Sequence, residues 1–323
     1  MEVNSYLHTK ANKKETMKRY GLAIAFISPF LILFLVYTII PLFIGIGISF
    51  FKYNPYNPDA KEFIGFQYYI RIFSGDVVSK TFWTSFGKTM LFAIVAVPCL
   101  ILIPLGLAIL INHKPPGYKV FRSIIYLPSV VSVSIAGVLF ITIFGETDTS
   151  LINALLGTNI KFLTNEPLRW FVMLLLSIWW QTGTNFVILS AALRDVPKSL
   201  YEACEVDGGG KKSSFLHVTL PNIKGSLSLC IFNTLIGYMN LYGQPVAIHG
   251  STNATNIESP MMLIQSWLTN ITYANLVGYI SAVAVFFGLI VMCFSLLERW
   301  LMSREKGGRK YEEKFSSICA IEK

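Results

Sequence analysis

Long apolar runs separated by short polar connections dominate the chain. Six of them reach the roughly 20 residues a helix needs to cross a hydrocarbon core: 22–50, 86–111, 122–144, 169–193, 223–248 and 274–298. Backbone amides cannot be left unpaired in lipid, so each run predicts a membrane-spanning helix. Pro29, Pro41, Pro98, Pro104 and Pro128 fall inside these runs and would break helices in water. Within a bundle they predict kinks. The first run follows a basic stretch, as a signal peptide would. It is about twice the length of a signal-peptide core and shows no small-residue cleavage pattern, so it reads as a retained span. The expected fold class is an all-α integral membrane protein with six spans.

Composition agrees. Charged residues make up 14% of the 323 positions, hydrophobic ones 53%, and the mean hydropathy is +0.55. A soluble domain carries roughly 25% charged residues. The net charge of +9 is spread between the apolar runs rather than gathered in one patch, which speaks against a nucleic-acid partner. With the N-terminus inside, 20 of the 27 basic residues fall on inside segments, and the outside loop from His249 to Thr272 has none. The positive-inside rule then puts both termini in the cytoplasm. Five scattered cysteines (Cys99, Cys204, Cys230, Cys293, Cys319) include no C-x-x-C pair, and no histidine stands at ligand spacing. Asn253-Ala254-Thr255 and Asn270-Ile271-Thr272 match glycosylation acceptors, a pattern common by chance. His8, His113, His217 and His249 receive no role. This gives a cytoplasmic tail 1–20, a spanning region 21–301, and a basic tail 302–323 expected to lie along anionic lipid or to be disordered.

The longest inside connection joins spans four and five and contains YEACEVDGGGKKSSFLHVTLP, residues 201–221. Its glycines and lysines suggest a phosphate-binding loop, but Glu205 stands where the first glycine of such a loop belongs and Lys212 where its hydroxyl belongs. Leu200, Ala203 and Cys204, at i, i+3 and i+4, read as helix instead. Asp195 is expected to cap a short helix that Pro197 opens, and Gly208 to end it in the left-handed conformation. A second amphipathic segment, with Phe215, Val218 and Leu220 on one side, would run to Pro221, where span five begins. The bland alternative is a solvated loop. Paired apolar sides favour a helix–glycine turn–helix that docks onto another protein.

Glu202-Ala203-Cys204, Gly208 and Val218-Thr219-Leu220-Pro221 resemble the EAA loop of permease subunits of binding-protein-dependent ABC importers. There the pattern is E-A-A, three residues, G, nine residues, then I-x-L-P. The spacing matches throughout; Cys204 replaces an alanine, Val218 an isoleucine, and Gly209 and Gly210 add glycines that would loosen the turn. Phe63-Ile64-Gly65-Phe66-Gln67-Tyr68-Tyr69 is similar to the F-x-G-x-x-N-Y segment of sugar permeases, and Ile152-Asn153-Ala154-Leu155-Leu156-Gly157 to their N-x-L-L-G stretch. His249-Gly250-Ser251-Thr252-Asn253 departs from the family's T-x-G-G-P run. The resemblance implies a six-helix importer permease with a cytoplasmic coupling loop at 195–222. Glu202, Ala203, Cys204, Asp207, Gly208, Leu220 and Pro221 would engage an ATPase. Two separate ATP-binding subunits would use ATP and Mg, since this chain binds no cofactor by the same reading. A second homologous permease would complete the pathway, and an extracytoplasmic solute-binding protein would deliver a carbohydrate. The setting is a bacterial cell membrane, with membrane lipid around the spans.

A sugar needs hydroxyl and amide partners and aromatic faces. In span four Ser177, Gln181 and Thr184 share a helical face, with Trp179, Trp180 and Asn185 beside them. In span five Thr234, Tyr238 and Tyr242 stand at i, i+4 and i+8, with Asn233 and Asn240 nearby. Polar residues at membrane depth face a bundle interior or a wet cavity, so Trp180, Gln181, Thr184, Asn185, Thr234, Tyr238 and Asn240 are candidate pathway residues. Interhelical hydrogen bonding is the competing role for each. No charged residue lies mid-span, which favours a neutral solute over an ion-coupled secondary transporter. A glycerol phosphate or another small polar solute is the alternative cargo. A membrane-embedded enzyme would need a nucleophile, metal cluster or carboxylate pair that the spans lack.

Overall fold

The computed structural model describes residues 18, 20–22, 24–59, 61–249 and 259–321, with side chains at all of these except 249 and 302–321. His8 and the acceptor pattern Asn253-Ala254-Thr255 lie outside the described residues. Contacts divide the chain into one unit made of residues up to Ile70 with Thr272–Val285, and a second made of Arg71–Ile271 with the chain from Phe286.

In the first unit, α1 (Tyr20–Ile48) is 29 residues long, enough for a crossing. A π-helical turn at Leu35–Ile39 immediately precedes Pro41, where the proline ring and missing N–H would otherwise collide with a regular ladder. The chain then forms a short antiparallel ladder, β1 (Phe51–Lys52) on β2 (Glu62–Phe63), with Phe51 opposite Phe63. Gly65, at φ 59°, turns the chain into α2 (Gln67–Arg71). That turn delivers Tyr69 Oη to 2.7 Å from Ser49 Oγ and stacks Tyr68 on Tyr279 at 5.4 Å between ring centres. Gly278 lies against the Phe51 carbonyl, leaving no room for a Cβ. The Phe63–Tyr69 motif is thus a corner that fastens the start of the last span.

The second unit holds α3 (Val77–Asn112), α4 (Tyr118–Val130), α5 (Val133–Phe144), α6 (Leu151–Leu156) and α7 (Glu166–Arg194). These are followed by α8 (Lys198–Val206), α9 (Lys211–Met239), α10 (Gly243–His249), α11 (Pro260–Thr269) and, from Phe286, the rest of α12 (Val277–Ile321). Asp76 caps α3 by accepting the Ser79 N–H at 2.8 Å, and its other oxygen accepts Arg71 Nε at 2.7 Å. α3 continues past Pro98 and Pro104 as one helix. α7 is the central element: Val172, Met173, Leu176, Phe186 and Leu189 have no exposed surface, and it packs on α3, α4 and α9. Before it, the buried Asn153 donates to the carbonyls of Gly145 and Ile160 and accepts the Ile160 N–H, while Gly157 at φ 61° ends α6. The Asn153–Gly157 motif therefore closes its own loop.

Three expectations change. The run 122–144 is not one straight span: α4 and α5 meet at a 98° bend. Val131 and Ser132 are extended there, Ser132 Oγ caps α5, and Trp180 Nε1 donates to the Val131 carbonyl at 2.8 Å. Bare glycines allow both halves to dock closely, Gly183 of α7 against α4 and Gly137 of α5 against Ala247 of α10. The run 223–248 likewise stops at Met239, because Asn240 leaves helical geometry and α10 starts afresh at Gly243. The tail from residue 302 continues α12 as helix to Ile321 rather than as disordered chain.

Candidate functional site

The connection between α7 and α9 is an elbow with one seated side and one open side. Asp195 does not cap α8. It closes α7, its N–H bonded to Ala191 O at 3.2 Å, and Pro197 takes the N-cap position without a side-chain hydrogen bond. On α8, Tyr201 and Cys204 turn inward and join Val196, Leu193, Phe215 and Val218 in one apolar cluster. Tyr201 Oη and Thr219 Oγ1 lie 3.1 Å apart, tying the two arms together. Glu202, Ala203, Glu205 and Asp207 face outward, and Val206 is 87% exposed. The outward side of α8 thus shows one apolar residue beside three carboxylates.

The glycines do not loosen this turn. Gly208 at φ 77° donates to Glu205 O at 3.0 Å, and Gly209 donates to Cys204 O at 2.8 Å. Those are the two bonds of a Schellman stop. A Cβ on Gly209 would sit 2.5 Å from Cys204 Sγ and 2.8 Å from Cys204 O. Gly209 is therefore required by close packing, while Gly210, with open space around it, only begins the next helix. That helix is α9 itself. A π-helical turn at Ser214–Thr219 precedes Pro221, the same arrangement found before Pro41, and the rod continues to Met239. Leu220 is half-buried and Pro221 exposed on it, so the elbow and the following span are one piece.

The polar residues of the spans separate into two groups. Asn185 Nδ2 donates to Leu100 O at 2.8 Å and to Thr234 Oγ1 at 3.1 Å, joining α7, α3 and α9 in the core. Tyr238 is 1% exposed and Ser177 fully buried, and neither hydroxyl has a hydrogen-bond partner among the described residues. Trp180 supports the bend in the third span. These side chains are committed within the subunit. Thr184 and Asn240 are exposed and Gln181 is half-buried, Asn240 Nδ2 folding back to Ile236 O at 3.0 Å.

Asn233 and Asn240 belong to a set whose other members, Ser226 and Gly237, went unnoticed in the sequence. Ser226, Asn233, Gly237 and Asn240 recur at i, i+7, i+11 and i+14 along α9, with Asn233, Gly237 and Asn240 exposed and Ser226 half-buried. That spacing is one helical face, on which Leu229 at i+3 is the apolar member. Ile223, Cys230, Thr234 and Tyr238, roughly a quarter-turn round the helix, face the core. The signal was present as periodicity, but the larger Thr234, Tyr238 and Tyr242 drew the reading to the buried side.

A family model described as binding-protein-dependent transport system inner membrane component matches residues 72–307. The arabinooligosaccharides transport system permease protein AraP of Bacillus subtilis is 29% identical over 289 residues, covering 87% of this chain and 88% of that protein. The sn-glycerol-3-phosphate transport system permease protein UgpA of Yersinia pestis is 28% identical over 208 residues, 64% of this chain and 68% of that one. Among solved structures, a bacterial ABC transporter involved in import of the acidic polysaccharide alginate superposes with a TM-score of 0.71 at 19% identity. It covers 90% of this chain and 98% of the matched one.

Proposed function

The chain belongs to the binding-protein-dependent transport system inner membrane components, and we propose on that premise that it is a pathway subunit of an ATP-driven importer of a sugar or oligosaccharide. The observation that carries the coupling half of this reading is the elbow: a helix stopped by Gly208 and Gly209, seated through Tyr201 and Cys204, and offering Glu202, Glu205, Val206 and Asp207 outward. Glu202 would meet a basic side chain on a cytoplasmic ATP-hydrolysing subunit. Two such subunits would supply the ATP and Mg chemistry, and their closure would push the elbow. Because α9 continues from the elbow into the membrane without a loop, the push reaches the span directly. Both termini are placed in the cytoplasm on this reading, in agreement with the positive-inside distribution.

The solute would pass along the Ser226–Asn240 stripe with Gln181 and Thr184, where hydroxyls and amides suit an uncharged polyol. A second, homologous permease would close the other side of the passage, and an extracytoplasmic binding protein would deliver the sugar. The uncharged stripe favours a sugar over a glycerol phosphate, which would call for a cation along the path. The test is ATP hydrolysis by the reconstituted complex with its binding protein across a panel of oligosaccharides and glycerol phosphates. Stimulation by one oligosaccharide, lost in Glu202→Ala while the spans still insert, is the expected result. Undiminished stimulated hydrolysis and uptake in Glu202→Ala would refute the elbow's role, and stimulation by glycerol phosphates alone would refute the cargo.

A further inference from the structure

Where α3 ends, α4 begins and α7 ends, a cavity of about 490 Å3 opens between the three helices. Lys114, Lys119, Arg122 and Arg194 line it together with Tyr118 and Ser190, and no carboxylate is among its lining residues. Among the described residues, none of these four cations lies within 4.0 Å of an acidic group. Like charges gathered around one cavity repel, and an anion between them removes that repulsion. A second, independent feature points the same way. Ser190 is 7% exposed, and its hydroxyl has no hydrogen-bond partner although it lines the cavity. A buried hydroxyl left unpaired is a defect unless a bound group completes it.

Guanidinium, ammonium, phenol and hydroxyl groups around one cavity are phosphate-binding chemistry. The place of the cavity narrows the source. It lies where the candidate spans α3 and α7 end and α4 begins, at the depth of lipid headgroups, and basic pockets between spans at that depth are headgroup sites. We propose that this cavity holds the phosphate of an anionic membrane lipid, seated among Lys119, Arg122, Arg194 and Ser190. The site is separate from the Ser226–Asn240 stripe, and nothing in it depends on the cargo.

The test uses the full chain purified in neutral detergent and incubated with phosphatidylglycerol, phosphatidylcholine, or inorganic phosphate alone, with retained ligand measured by native mass spectrometry. Phosphatidylglycerol should be retained about tenfold better than phosphatidylcholine, whose choline cation offsets the shared phosphodiester and is repelled by the four positive side chains. Arg122→Gln with Arg194→Gln should erase that preference, and Arg122→Lys with Arg194→Lys should restore most of it, which separates lost charge from lost folding. Lys80→Gln with Lys161→Gln should leave it unchanged. Inorganic phosphate alone should be retained far less than phosphatidylglycerol. Equal retention of both lipids with no phosphate bound, or full preference in the double Gln variant, would overturn the site. Inorganic phosphate retained as well as phosphatidylglycerol would overturn the lipid assignment.

Discussion

Gly209→Ala isolates the rigidity of the elbow from its surface chemistry. The added methyl would lie 2.5 Å from Cys204 Sγ and 2.8 Å from Cys204 O, well inside the ~3.5–4.0 Å at which such atoms rest. The sulfur can rotate aside. The oxygen is backbone, and it holds the Gly209 N–H at 2.8 Å, so relief means lengthening that bond. Losing it costs about 1 kcal/mol, and residual crowding adds about 1–2 kcal/mol. The smaller entropy of alanine in the unfolded chain returns about 0.5 kcal/mol. The net is a local destabilisation of about 2 kcal/mol, or roughly 30-fold in the opening equilibrium. Hydrogen exchange of amides 204–214 in the full chain reads this directly, and exchange within α3 and α7 should stay as in the unmodified protein. Gly208→Ala, at φ 77°, should accelerate exchange roughly tenfold through left-handed strain of about 1–2 kcal/mol. Gly210→Ala meets nothing within 4 Å and should change nothing. Cys204→Ala in the Gly209→Ala background removes the sulfur contact but not the carbonyl contact, so it should recover part of the loss. Equal exchange in Gly209→Ala and Gly210→Ala would refute the close-packed turn.

Trp180→Phe keeps the aromatic ring but withdraws the donor from the Val131 carbonyl at the bend. It should destabilise the subunit by about 1–3 kcal/mol, and an unchanged thermal midpoint in lipid nanodiscs would argue against that role. Asn185→Leu removes both bonds that join α7 to α3 and α9 and should cost about 2 kcal/mol by the same measurement. Asn233→Leu sits on the open face of α9, so stability should stay within about 0.5 kcal/mol while uptake by the reconstituted importer falls at least about tenfold. Stability loss with intact uptake would reverse that assignment.

The spans and the elbow were legible because each rests on local physics. Twenty apolar residues in lipid have only the helix available, and a Glu-Ala-Cys turn ending in Gly208 announces its stop. The bend at Val131 was not legible. Its cause is a tryptophan 49 residues away that satisfies one carbonyl and a glycine on α7 that admits the backbone of α4. Neither leaves a mark in the local pattern, where Pro128 alone suggested a mild kink. Asp195 misled for a related reason. An acidic residue before proline matches a helix start, but here α7 ends on it, and only the lengths of the two helices decide. Which side of α9 is open was likewise a tertiary matter: periodicity finds two polar faces, and packing on α7 selects the one that is buried.

The two polar faces of α9 have different uses, and membrane physics says why. Thr234 is bonded to Asn185 and Tyr238 is buried beside the core cluster, so this face is taken up inside the subunit. Asn233 and Asn240 stand exposed outside that interior, with Ser226 half-buried on the same face. In hydrocarbon such a face finds no partner, which leaves a wet cavity or another polypeptide to meet it. On the proposed reading it meets both, a passage closed by a second permease. The stripe and the elbow are also mechanically one. From Phe215 to Asn233 the helix rises about 27 Å at 1.5 Å per residue, with no intervening loop. A displacement applied to α8 bears on Phe215 and Val218 through the shared cluster and arrives at Asn233 as movement of a single rod. Phe215 and Val218 both lie in the π-helical turn at Ser214–Thr219, so on the proposed reading the push enters the rod at its irregular turn.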